Sequence, residues 1–153
     1  MRIMPAIARG SAAPAVPGLD FTAGPTALFF YKVTCPVCQM TAPAVQALHR
    51  AYPGRVAAVG QDPEPKLRAF ETRFGLQVAT QPDPTPYVLS SSYGVRVVPT
   101  TFLVGTNGVI VDVVESWDRD GLNALSAELA KLAGLAYAPI SEVGDGLPAF
   151  RPG

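Results

Sequence analysis

Two cysteines separated by two residues are the part of this sequence best suited to chemistry. Cys35 and Cys38 follow the apolar run Ala27–Tyr31, whose length and composition predict a buried strand. Pro36 suits the first position of a helix, so Cys35 is expected at a helix N-terminus, where the dipole and free N–H groups favour a thiolate. Cys38 lies on the same helical face, close enough to form a disulfide. One thiol can therefore attack a disulfide, and the other can resolve the mixed disulfide.

The sequence around these cysteines resembles the active-site helix of the thioredoxins. Pro43 stands where those proteins carry a helix-kinking proline, and Gly94–Val104 is similar to the stretch around their cis-proline. Asn107-Gly108 matches their final hairpin turn. The long separation of Cys38 from Pro99 leaves room for an inserted helix and strand, as in the TlpA-like and redoxin branch. The resemblance spans residues 25–134.

The resemblance implies a thiol–disulfide oxidoreductase whose substrates are protein or small-molecule thiols and disulfides, with no cofactor and no metal. It implies Cys35 as the nucleophile and Cys38 as the resolving thiol. The Val98–Pro99 peptide bond is expected to be cis and to face the two sulfurs, leaving the N–H and C=O of Val98 free to pair with an extended substrate. The residues expected to contact the substrate are Thr34, Pro36, Val98 and Pro99.

The remaining pattern predicts an α/β protein with the thioredoxin-like fold, a central mixed sheet with helices on both faces. Predicted helices cover residues 36–52, 63–74, 87–93 and 119–133, the second capped by Asp62 and the last by Asp118. Predicted strands cover residues 55–60, 76–79, 100–104 and 109–115, with a further short strand near Gly18–Phe21. The last helix carries an apolar stripe of Leu122, Leu125, Leu129 and Leu132. Trp117 is expected to cover an edge of the core.

Three segments follow from this pattern. Residues 1–24 are expected to form an extended lead-in, residues 25–134 the thioredoxin-like domain, and residues 135–153 an irregular C-terminal tail. The first fifteen residues lack the apolar stretch of a secretory signal, which predicts a cytoplasmic protein, or a periplasmic one if the start has been trimmed. The net charge is zero and no apolar run is long enough for a membrane helix, so neither nucleic acid nor membrane is an expected partner.

Three positions differ from the family pattern. Thr34 replaces the tryptophan that usually precedes the first cysteine. Phe29 replaces a buried aspartate that accepts the proton of the resolving thiol, and Thr41 replaces a glutamate that TlpA-like reductases carry. Resolution by Cys38 is therefore predicted to be slow. Thr41 is expected to lie nearer the helix surface than Phe29, which would make Thr41→Glu the simpler way to restore an acid.

Several other interpretations remain open from the sequence. A redoxin-type peroxidase would carry a threonine three residues before its cysteine, where this chain has Lys32. A copper or other metal carrier needs a distant histidine, but His49 lies in the predicted active-site helix. A redox-silent adaptor on the same scaffold is the third of these alternatives. Lys32 would lower the pKa of Cys35 if its ammonium pointed towards the sulfur.

Overall fold

The computed structural model describes residues 6–153, which are organised around one five-stranded sheet. Its strands are β1 (Thr26–Tyr31), β2 (Val56–Gly60), β3 (Ala79–Pro82), β4 (Thr100–Val104) and β5 (Ile110–Glu115). The helices are α1 (Pro36–Ala51), α2 (Glu64–Phe74), α3 (Val88–Ser92) and α4 (Arg119–Ala133). A separate ribbon pairs β6 (Trp117–Asp118) with β7 (Phe150–Arg151).

The sheet is mixed and has the order β3-β2-β1-β4-β5. Strands β1, β2 and β3 run parallel, whereas β4 and β5 form an antiparallel hairpin next to β1. The third strand begins three residues later than predicted and runs into the proline-rich stretch. It can do so because β3 is an edge strand, where Pro82 needs no outward hydrogen-bond donor.

Strand β1 separates two apolar cores, because its side chains alternate between the two faces of the sheet. Phe29 and Tyr31 belong to the core that α1, α2 and α4 cover, whereas Leu28 and Phe30 pack on the other face with Tyr93 at the end of α3. The prediction of a mixed sheet with helices on both faces is therefore confirmed.

Helices α1 and α4 begin and end close to the predicted residues, and α4 shows why. The Asp118 side chain accepts a hydrogen bond from the N–H of Gly121, and Gly134 ends the helix in a left-handed conformation. The predicted apolar stripe is wrong at Leu132, which is 45% exposed. Leu132 lies in the last turn of α4, close to the C-cap residue Gly134.

Two predictions near the ends of the chain are corrected. Phe21–Ala23 forms a short 3-10 helix rather than a strand, and the lead-in instead joins the sheet through a bridge between Ala12 and Val109. Residues 1–5 of the predicted lead-in lie outside the described residues. The tail is irregular except for β7, which pairs with β6. No pattern in the sequence predicts this pairing.

The tail is held to the domain by buried polar groups. Trp117 is fully buried, and its indole N–H donates to the carbonyl of Pro148 at 2.7 Å. The Arg119 guanidinium, 7% exposed, donates to Ser141 Oγ at 2.9 Å and to the carbonyl of Leu147 at 2.7 Å. Because buried donors are costly to leave unpaired, these bonds fix the course of the tail.

Gly60, the last residue of β2, lies directly against the Leu67 side chain of α2. A β-carbon at this position would overlap the Leu67 side chain of α2. Gly60→Ala is therefore expected to lower the free energy of unfolding by about 1–3 kcal/mol, as overpacked cores do. Urea denaturation would measure this loss of stability. A midpoint for the variant equal to or higher than that of the wild type would contradict the close approach of Gly60 and Leu67.

Candidate active site

The loop after β1 places Cys35 at the N-terminus of α1. Cys35 occupies the N-cap position in an extended backbone conformation, and its Sγ accepts a hydrogen bond from the N–H of Cys38 at 3.1 Å. Pro36 occupies the first helical turn, where no N–H is needed. The sulfur of Cys35 thus takes the place of a capping oxygen at the positive end of the helix.

This position favours the thiolate form of Cys35. The pKa of Cys35 is lowered to about 6, first by a hydrogen bond from the Cys38 thiol and then by the backbone N–H groups of Cys38 and Val37. Partial burial opposes the shift without cancelling it. At neutral pH Cys35 is therefore largely ionised, as a nucleophilic cysteine must be.

Cys38 lies one helical turn further along α1, and its surroundings favour the protonated thiol rather than the thiolate. It is fully buried, and burial raises the pKa of the Cys38 thiol far above its usual range, with the hydrogen bond to Cys35 adding to the effect. The pair therefore combines one ionised, half-exposed thiol with one protonated, buried thiol.

The loop before β4 lies against the first cysteine. The Val98–Pro99 peptide bond is cis, and Cys35 Sγ lies 3.4 Å from the carbonyl oxygen of Val98, to which it donates only while it is protonated. Thr34 and Pro36 flank the sulfur and are exposed to solvent. The structure thus brings all six predicted site residues to one end of the sheet, although the pairing of Cys35 with Val98 spans more than sixty residues of chain.

Neither position that could carry the missing acid lies at the surface. Phe29 is fully buried and stacks on Tyr31 with ring centroids 5.2 Å apart. Thr41 is 1% exposed, and its hydroxyl donates to the carbonyl of Val37 at 2.7 Å. The expectation that Thr41 lies nearer the surface is therefore wrong, because α1 turns this face towards the sheet.

Lys32 does not point towards the thiols. Its ammonium lies 3.4 Å from Asp62 Oδ1 and 3.4 Å from the hydroxyl of Tyr87. Its charge accordingly plays no part in lowering the pKa of Cys35. His49 lies in the last turn of α1, away from the N-terminus that carries the cysteines.

Sequence reasoning gave Asp62 the wrong role. Pro63 is the N-cap residue of α2 and makes no side-chain cap bond, whereas the Asp62 carboxylate accepts from the N–H of Val33 at 2.9 Å. Gln39 in α1 donates to the carbonyl of Val33 at 2.9 Å from the other side. Together these two side chains fix the loop that presents Cys35.

Sequence reasoning also missed two residues on the far side of Val98. The N–H of Ser116 donates to the carbonyl of Pro99 at 2.8 Å, and Ser116 Oγ accepts from the N–H of Gly153 at 3.0 Å. The Gly- and Pro-rich composition of the tail gave no signal that it returns to the active site.

Alkylation of Cys35 by iodoacetamide should follow a single ionisation with a midpoint near pH 6, the pKa of this thiol. Because the thiolate is the nucleophile, the rate should rise as the pH increases through the midpoint and level off above it. Mass spectrometry of the native protein would identify the labelled thiol, with Cys35→Ser as the control. Faster labelling of Cys38 at neutral pH would contradict this assignment.

Known proteins resemble this chain in sequence as well as in fold. The model of the AhpC/TSA family matches residues 16–113. The thiol-disulfide oxidoreductase ResA of Halalkalibacterium halodurans is 31% identical over 90 residues, which cover 56% of this chain and 51% of ResA. The chain therefore spans about half the length of the curated relative it matches.

Solved structures share the fold. A crystal structure of a putative thiol:disulfide interchange protein DsbE from Chlorobium tepidum aligns with a TM-score of 0.73 at 23% identity, covering 84% of this chain and 99% of that one. A secreted Mycobacterium tuberculosis disulfide oxidoreductase homologous to E. coli DsbE aligns with a TM-score of 0.59 at 22% identity, covering 71% and 84%. At 22–23% sequence identity, these structural similarities establish that this chain has the thioredoxin-like fold.

Proposed function

The chain belongs to the AhpC/TSA family, and from that premise we propose that it is a thiol–disulfide oxidoreductase that works through Cys35 and Cys38. The observation that carries the proposal is the contrasting placement of the two thiols. Cys35 is the N-cap residue of α1, which lowers its pKa, and Cys38 is fully buried one turn behind it, which raises its pKa. A structural disulfide or a metal site would not need two thiols with such different acidities.

The reaction proceeds in two exchange steps. The Cys35 thiolate attacks one sulfur of a substrate disulfide, forming a mixed disulfide and releasing the other sulfur as a thiolate. Cys38 then loses its proton and attacks Cys35 Sγ, which forms the Cys35–Cys38 disulfide and releases the second substrate thiolate. Two electrons pass from the dithiol to the substrate, and the reverse sequence oxidises a substrate dithiol.

The backbone N–H groups at the start of α1 assist both steps. They stabilise negative charge on Cys35 Sγ, which makes Cys35 a good leaving group when the mixed disulfide is resolved. The Val98–Pro99 segment lies beside the same sulfur, and we assign it, with Thr34 and Pro36, to substrate contact. Extended substrates would pair with the backbone of Val98 as an added strand.

A turnover assay tests this function. The reduced protein should catalyse the reduction of a small-molecule disulfide by dithiothreitol, and Cys35→Ser should lower the rate to the uncatalysed level. Equal rates for the two proteins would refute the proposal. Rapid consumption of hydrogen peroxide by the wild type, with no disulfide turnover, would favour the redoxin-type peroxidase instead.

The substrates proposed for this chain are protein or small-molecule thiols and disulfides. Within residues 6–153, no helix combines the length and apolar character needed to cross a membrane. The cytoplasmic location predicted from the sequence finds no support among the similar proteins, one of which is described as secreted.

A further inference from the structure

The tail returns to the active site through a series of anchored contacts. After the bond from Trp117 to Pro148, the N–H of Arg119 donates to the carbonyl of Ala149 at 2.9 Å, and β7 then pairs with β6. The segment Phe150–Gly153, which we call the strap, continues from there to Ser116. The strap is therefore positioned by the same elements that fix the rest of the tail.

The last contact of the strap lies on the backbone of Val98. A β-carbon on Gly153 would overlap the carbonyl of Val98 and would lie 2.8 Å from its carbon and 3.3 Å from Pro99 Cδ. Glycine is thus the residue that fits this contact. Ser116 holds Gly153 in place through its hydroxyl, and its backbone has a left-handed conformation, φ +70°.

The carbonyl of Val98 is consequently contacted by two groups. Cys35 Sγ lies 3.4 Å from the oxygen, and Gly153, whose N–H donates to Ser116 Oγ, packs closely against the same carbonyl. Within residues 6–153 the N–H of Val98 donates to no backbone acceptor. A substrate strand would need both groups of Val98, and the strap covers one of them. In this closed arrangement the strap therefore limits access to the carbonyl, one of the two groups that the sequence-based prediction expects to pair with substrate.

We propose that the strap selects the substrates of Cys35, a role that rests on the proposed oxidoreductase function. Small-molecule disulfides reach the half-exposed sulfur while the strap is closed, because attack by Cys35 needs no strand pairing. A disulfide within an extended polypeptide reacts after the strap leaves the Val98 carbonyl. The closed form therefore favours small disulfides over polypeptides.

Two substitutions in the full chain open the strap by independent means. Gly153→Val places a branched side chain where the Val98 carbonyl lies, and Ser116→Gly removes the hydroxyl that holds Gly153 while keeping a residue suited to positive φ. Arg151→Val is the matched control, because Arg151 belongs to the strap, is exposed, and makes no side-chain hydrogen bond or ion pair within the described residues.

The assay compares two substrates with the same leaving group. One is 5,5′-dithiobis(2-nitrobenzoic acid), and the other is an extended peptide whose cysteine carries the same thionitrobenzoate. Stopped-flow absorbance follows the single-turnover reaction of each reduced protein with each substrate. Both strap variants should react about fivefold faster with the peptide, the factor expected for loss of one hydrogen bond, and within about twofold of wild type with the small disulfide. Arg151→Val should match the wild type with both substrates.

The result separates the strap from the proposed function. Unchanged or slower reaction of both variants with the peptide would overturn the strap proposal while leaving the oxidoreductase function in place. An equal increase with both substrates would also overturn it, since that would indicate a more reactive Cys35 rather than better access. If the wild type and variants react with neither substrate, the oxidoreductase function itself fails, and the strap proposal fails with it.

Discussion

Replacement of Cys38 by serine is expected to convert the protein into a trap for its substrates. The Cys35 thiolate retains most of its backbone hydrogen bonds in Cys38→Ser and still attacks disulfides, but no second thiol releases the mixed disulfide. Cys35→Ser removes the nucleophile and should lower turnover by at least about 10³-fold. Intact-protein mass spectrometry after mixing with a small disulfide would show the trapped adduct.

The two serine variants serve as controls for each other. Each removes one sulfur from the same helical turn, so a difference between them reflects the role of the sulfur rather than a general loss of structure. An adduct on Cys38 in Cys35→Ser, together with an unreactive Cys35 in Cys38→Ser, would reverse the assignment of the two thiols.

Thr41→Glu is expected to accelerate resolution of the mixed disulfide. Cys38 must lose a proton to attack, and burial raises the pKa of its thiol. A glutamate at position 41 lies three residues from Cys38 on α1, within reach as a proton acceptor. General base catalysis of this kind contributes about 10²–10⁴-fold. Quenched-flow measurement of mixed-disulfide decay would test whether the variant gains at least tenfold, which is about 1.4 kcal/mol in the barrier.

Thr41→Gln is the matched control, because it has nearly the same shape but cannot take a proton near neutral pH. Thr41 is buried and bonded to Val37, so both substitutions should lower the free energy of unfolding by about 1–3 kcal/mol. Equal decay rates in the two folded variants, with a wild-type rate that does not change between about pH 6 and pH 9, would show that deprotonation of Cys38 does not limit turnover.

The local features of the active site could be predicted because each depends on a few adjacent residues. Cys35 before Pro36 predicts a helix N-terminus, and the spacing to Cys38 predicts a shared helical face. Asn107-Gly108 between two apolar runs predicts the hairpin of β4 and β5. These signals reflect local backbone conformation. The structure confirms the predicted helix α1 and the hairpin of β4 and β5.

The features that escaped prediction depend on contacts between distant parts of the chain. Asp62 before Pro63 is typical of a helix cap, but its carboxylate accepts from the N–H of Val33 instead. The burial of Thr41 also escapes prediction, because its position in the sequence of α1 does not reveal how the helix is turned against the sheet. The return of Gly153 to Val98 requires the bonds of Trp117 and Arg119 to the tail, and such pairings leave no periodic pattern.

A redox titration tests the central claim most directly. The protein would be equilibrated in buffers of reduced and oxidised dithiothreitol or glutathione, quenched with a thiol-alkylating reagent and analysed by mass spectrometry. The account predicts a two-electron transition in which Cys35 and Cys38 lose their labels together. The potential should lie between those of thioredoxin and DsbA, about −270 and −120 mV, because the side chain of Val37 adds no hydrogen-bond donor beside the thiolate. Labelling of both thiols across the whole range, or oxidation of Cys35 without Cys38, would contradict the account.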